Sequence, residues 1–175
     1  MRRRPISAWL GSILAIALCL GLKATTLQRL ALDDMIQGST DVVRAKVKGS
    51  TSVLRHGDVF TVYQLSVLEQ WKHQAGRIAP QEVAVPGGVA GGVRQQVGGA
   101  PVLRPGQEYI LFLWQGKSGL TQLMGLSQGV FGVIGERTVQ APATDQMLDR
   151  AGHTVMPEAL SLKLSVLKAR VGGVY

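Results

Sequence analysis

The stretch Asp41-Val42-Val43-Arg44-Ala45-Lys46-Val47-Lys48 decides how this chain reads. Val43, Ala45 and Val47 alternate with Arg44, Lys46 and Lys48, the period of two that puts successive side chains on opposite faces of a strand. One face is apolar and suited to a core, and the other carries three cations. Such a half-buried strand needs a partner. His56-Gly57-Asp58 has the turn chemistry of a hairpin, and the return run from Val59 to Leu68 is rich in β-branched and aromatic residues. The two runs are expected to pair.

Outward from this hairpin the pattern stays mostly β. Before it, residues Leu32 to Ser39 leave room for a short helix with Met35 and Ile36 facing inward. After it, a loop from Trp71 to Pro80 leads to a short strand, Glu82 to Val85, closed by Pro86-Gly87-Gly88. Between Gly87 and Gly99 the density of glycine works against regular structure, because glycine loses most freedom on ordering and has no side chain to pack. A long loop is expected there, with a short strand at Val93 to Val97. Pro105-Gly106 fits the centre of a type II turn and launches Glu108 to Trp114, apolar on both faces and therefore the expected central strand. Leu120 to Leu126, Val130 to Ile134 and an edge piece at Thr138 to Gln140 follow. Near the end, Pro157 can open a helix whose Leu160, Leu164, Leu167 and Val171 share one face, with Gly172-Gly173 as its stop. Five to seven short strands in one domain point to a mainly β small barrel or sandwich.

The first residues have a different character. Arg2, Arg3 and Arg4 precede an apolar run from Ile6 to Leu22, then Lys23 and Ala24, which is the form of an export signal. The only cysteine, Cys19, lies within that run, so cleavage after Ala24 leaves 151 residues with no cysteine and excludes a disulfide framework. A lipid anchor on Cys19 would want a small residue before it, and Leu18 stands there. A twin-arginine signal is opposed by Pro5 and by the lack of any cofactor motif downstream. The expected organisation is a signal peptide over 1–24, a β-barrel domain over 25–140 and a C-terminal extension with a helix over 141–175. The expected location is periplasmic or extracellular, with no stable membrane span once the signal is removed.

The whole chain carries a formal +8, but 4 of its 19 basic residues fall in the signal, so the remaining 15 against 11 acidic residues leave +4. That balance is too mild for a nucleic-acid-binding tail. The stripe Arg44, Lys46 and Lys48 is the candidate binding face, suited to phosphate, an acidic polysaccharide or lipid headgroups. The candidate binding loop is Gly87, Gly88, Gly91, Gly92, Arg94, Gly98 and Gly99.

Catalytic motifs fare less well. Gly125-Leu126-Ser127-Gln128-Gly129 matches the nucleophile-elbow pattern, and Asp145 or Asp149 followed by His153 completes the order of a hydrolase triad. That elbow needs a helix after the serine, whereas strand-like Val130 to Ile134 follows here. Gly116-Lys117-Ser118 resembles the end of a phosphate-binding loop, but the glycine required five positions earlier is Leu111. His56, His73 and His153 lie apart, without metal-ligand spacing. No catalytic residue, metal or cofactor is expected.

The segment Ser39 to Val47, the hairpin, and Tyr63 to Lys72 resemble the opening strands of the netrin-like OB barrels of tissue inhibitors of metalloproteinases. The later pattern, Val85 to Gly88, Gly98 to Pro101, Pro105 to Leu113 and Gly125 to Gly129, is similar to a group of bacterial exported proteins found beside secreted metalloprotease domains. The resemblance implies an OB-like, netrin-like barrel of five to seven strands with a short N-terminal helix and a C-terminal amphipathic helix. The inhibitors bind protease zinc through an N-terminal cysteine, which is missing from this chain after residue 24, so that role does not carry over. The functional expectation is an exported, non-enzymatic binding or accessory module whose partner is an exported protein or acidic glycan. The alternatives are a small serine hydrolase using Ser127 and His153, or a polysaccharide- or surface-binding protein.

Overall fold

In the computed structural model, residues 27–116, 119–141, 147–156 and 158–173 are described. In chain order the elements are β1 (Leu27–Gln28), α1 (Leu32–Gly38), β2 (Asp41–Arg55), β3 (Asp58–Lys72), β4 (Glu82–Pro86), β5 (Gly88–Ala90) and β6 (Val93–Gln95). They continue with β7 (Glu108–Gln115), β8 (Thr121–Leu123), β9 (Val130–Ile134), β10 (Arg137–Gln140), β11 (Met147–Leu148), β12 (Thr154–Val155), β13 (Ser161–Lys163) and α2 (Leu164–Gly173).

The opening hairpin forms as its sequence requires. Arg55 pairs with Asp58 across a two-residue turn, and His56 and Gly57 have φ of 53° and 90°, the two positive values that match a turn to strand twist. Both strands run to 15 residues, longer than the short strands expected. Register shifts at Val42/Val43, Arg44/Ala45 and Val47/Gly49 let β2 bend without losing its partner.

Five strands close into a barrel. β2 pairs with β3, β3 with β4, β4 with β8, β8 with β7, and β7 returns to β2; only the Ala84–Gln122 bridge of β4 and β8 is parallel. This is a small OB-like barrel, and its inside is filled by Val43, Ala45, Val47, Tyr63, Leu65, Val83, Val85, Leu111, Leu113 and Leu123. The expected alternation in β2 therefore holds for its inward residues.

β7 is the central strand. β2 lies along one side, while β9 and β8 share the other, pairing with Tyr109–Leu111 and Leu113–Gln115 respectively. Its outward residues Ile110 and Phe112 face a second core, made with Val42 and Phe131 from the sheet, Met35 and Ile36 from α1, and Leu167 and Val171 from α2. Phe112 and Phe131 meet with ring centroids 5.5 Å apart. The burial of Met35 and Ile36 matches their expected inward facing.

Beyond residue 140 the chain joins this architecture. β13 pairs with β10 at the end of the eight-stranded sheet, and α2 closes the second core. The helix starts at Leu164, so Leu160 precedes it, and Pro157 lies outside the described residues. The apolar spacing from Leu160 fitted a helix, but Ser161–Lys163 finds an open strand edge on β10 and extends along it. The glycine-dense segment is more regular than the long loop expected, and the short strand expected at Val93 to Val97 forms as β6 over Val93–Gln95. β5 and β6 form a hairpin, with Gly91 and Gly92 (φ 58° and 77°) turning between them.

Candidate functional site

The cations expected to share a free face do not act together. Arg44 is half-buried, with Nε 2.5 Å from Glu108 Oε1 and a terminal nitrogen 2.7 Å from Glu69 Oε1. Glu69 also accepts from Lys168 Nζ of α2 at 2.5 Å and from Trp71 Nε1 at 3.0 Å. Lys168, Trp71 and Arg44 together hold the Glu69 carboxyl down from its ordinary 4.5 to about 2. Two cations thus neutralise two carboxylates, and Arg44 fastens β2 to β3 and β7. Lys46 and Lys48 remain exposed, and among the described residues no ion pair engages either. Strand alternation shows which way Arg44 points, but cannot show that Glu69 and Glu108 sit beside it.

The glycine segment is anchored at both ends. Gly87 N donates to Val59 O at 2.7 Å, Gln95 Oε1 accepts from Val59 N at 2.8 Å, and Thr61 Oγ1 donates to Gly87 O at 2.8 Å. A β-carbon on Gly88 (φ 133°) would lie 2.6 Å from Thr61 Oγ1 and 2.7 Å from Ser52 Oγ. That face of β5–β6 therefore lies on the far half of the β2–β3 hairpin. Val89 and Arg94, opposite each other in register and of the other parity, face away and are exposed. At the far end, buried Gly99 accepts from Ser127 N at 3.0 Å, with half-buried Gly98 beside it.

Ser127 sits in a 3-10 turn, Leu126–Gly129, between β8 and β9. Its Oγ is buried and has no hydrogen-bond partner among the described residues, so His153 does not hydrogen-bond to it. His153 instead has its backbone N–H and Nδ1 2.8 and 3.2 Å from the two carboxylate oxygens of Asp149, on an exposed turn. Backbone donors and the His153 ring lower the pKa of Asp149. Asp145, Lys117 and Ser118 lie outside the described residues.

Sequence reasoning missed Gln128. Its side-chain amide accepts from Leu30 N at 2.8 Å and donates to Gln28 O at 2.9 Å, which reproduces a strand's pairing and holds the segment after β1. Gln140 Nε2 in turn donates to Gln128 O at 2.7 Å. Gln128 and Gln140 line a cleft of about 800 Å³ together with the entry to α1, the turn after β11 and residues 158–161. On its lining Arg150 lies 2.7 Å from Asp34 and Arg29 3.8 Å from Glu158.

Among the described residues no group of three His, Cys, Asp or Glu side chains could hold a metal, and no helix is long and apolar enough to cross a membrane. No protein-family model matches the chain, and no match to it is found among curated proteins.

Proposed function

We propose that the protein is an exported, non-enzymatic binding or accessory module that meets an exported partner protein on the β5–β6 hairpin and the tip of the β2–β3 hairpin. The observation carrying this reading is an ordered projection with side chains left over for contact. Leu54, Val89 and Val93 are 47, 51 and 45% exposed there, beside exposed Arg55, His56 and Arg94. Exposed apolar side chains beside cationic ones have the composition of a contact surface. Anchoring at Gly87 and Gly99 means that little further ordering would oppose association. The barrel interior is occupied by side chains, which favours an outer surface over an internal ligand.

A photo-crosslinking side chain at Val89, compared with one at Ser165 on α2, tests this in the producing cells. Discrete adducts with an exported protein from position 89 alone support the reading. Equal labelling from both positions, or a product confined to the cytoplasm, overturns it. N-terminal sequencing of the exported product should begin at Thr25.

A further inference from the structure

We infer that Lys46, Lys48 and Arg104 form a docking site for an acidic polysaccharide at the bulge of β2. Val47 makes two backbone bonds to the neighbouring turn, donating to Gln107 O at 3.0 Å and accepting from Gly106 N at 2.8 Å. The turn Arg104-Pro105-Gly106-Gln107, closed by Gln107 N to Arg104 O at 3.2 Å, is thus fixed against the residue between the two lysines. Arg104 is exposed at its head. Lys46 and Lys48 flank Val47 where the strand register shifts between Val47 and Gly49, and the turn that begins at Arg104 is bonded to that same residue.

The local charge balance favours an anionic occupant. Glu108 lies opposite Lys46 in register but is bound to Arg44, and Glu69 is bound to Arg44 and Lys168. That network is neutral, leaving the charges of Lys46 and Lys48 uncompensated. The next carboxylate on this face is Glu82, opposite Gln64, which is opposite Gly49. Two strand spacings, about 10 Å, separate Glu82 from β2, comparable to a Debye length near physiological salt.

The surroundings favour a glycan. Ser50, Thr51, Gln64 and Gln107 are exposed around the lysines, offering hydroxyls and amides to sugar hydroxyls. Lysine suits this role as a mobile point charge that follows a flexible polyanion. The inference rests on the reading of the protein as a binding module, but not on the partner at the β5–β6 hairpin.

Titration of the full-length secreted protein with polygalacturonate at low ionic strength tests the site, with dextran as the neutral control. Binding should weaken steadily with salt, and Lys46→Ala with Lys48→Ala should cost about tenfold or more, since a polyanion contact scales with the charges neutralised. Arg104→Ala should weaken it further. Arg137→Ala with Lys163→Ala, an equal charge loss on β10 and β13, should change it less than threefold. No binding by the unmodified protein, equal loss in the control pair, equal affinity for dextran, or tighter binding to anionic phospholipid vesicles than to polygalacturonate would each overturn the glycan site. Crosslinking at Val89 reads the protein partner separately, so either proposal can fail alone.

Discussion

A β-carbon at Gly129 would lie 2.3 Å from the carbonyl oxygen of Met124. The chain between them leaves the end of β8, makes the 3-10 turn and returns as β9 to the same side of β7. Met124 N still donates to Phe112 O at 2.8 Å, and Val130 already pairs with Leu111. Only a side chain of hydrogen fits where the excursion closes. Gly125, in the left-handed region at φ 61°, begins it.

Gly129→Ala should therefore destabilise the fold by about 3 kcal/mol or more, because backbone rather than a flexible side chain must yield. Gly132→Ala, whose nearest neighbour is Val139 O at 3.8 Å, serves as the comparison and should cost much less. Urea midpoints of the two variants check this. Equal costs would refute the closure argument.

The two glycines of this turn show where the sequence is readable and where it is not. β2, the type I′ turn at His56-Gly57 and the Pro105-Gly106 turn, with Gly106 at φ 81°, follow from local rules and form as the residues dictate. The apolar run of β7 foretells a strand covered on both faces, because burial on two sides needs no knowledge of which neighbours cover it. Gly125-Leu126-Ser127-Gln128-Gly129 is different. Its glycines serve a contact with Met124 and a detour between two parts of one sheet, and a short motif carries no record of either. Arg44 is unreadable for a similar reason, since its partners lie 25 and 64 residues away. At β13, strand and helix periods compete over three residues, and the free edge of β10 decides between them.

Glu69→Gln should flatten the acid limb of stability. The folded-state pKa of Glu69 lies below its ordinary 4.5, at about 2, so its contribution is present above pH 4.5 and is lost as pH falls toward 2. After discounting for solvent screening, that contribution is about 1–2 kcal/mol. Unfolding midpoints measured between pH 6 and 2 should converge for the two proteins at the acid end. A constant difference down to pH 2 would remove Glu69 from the account.

Gln128→Ala should free the segment after β1. Leu30 N loses its acceptor and Gln28 O its donor, costing about 1–3 kcal/mol where these groups stay shielded from water. Hydrogen exchange at Leu30 should accelerate well before that of Ile110 or Leu111. Uniform acceleration across the barrel would show that Gln128 supports the whole fold rather than this segment.

Ser127→Ala should leave stability unchanged or raise it by up to about 1 kcal/mol, because it removes a buried hydroxyl that forms no hydrogen bond among the described residues. A fluorophosphonate probe should not label the unmodified protein at Ser127, which among the described residues has no hydrogen-bonded base to take its proton. Stoichiometric labelling lost on His153→Ala would restore the hydrolase reading.

Gly88→Ala should lift the β5–β6 hairpin from the β2–β3 hairpin and leave the barrel in place. The added methyl would meet Thr61 Oγ1 and Ser52 Oγ below 2.8 Å, in a backbone conformation that already disfavours a side chain. Gly92→Ala is the control, since open space surrounds that position although its φ of 77° is also positive. Both variants carry backbone strain, but only Gly88→Ala should break the contacts of Gln95 and Gly87 with Val59. Amide exchange at Val59 and Gly87 should rise in that variant alone, with exchange in β7 unchanged. Crosslinking from Val89 should then fall with it, because a hairpin free to move must be ordered again before a partner can bind. If Gly88→Ala leaves both exchange and crosslinking intact, the hairpin is not held by this contact and its rigidity cannot explain recognition.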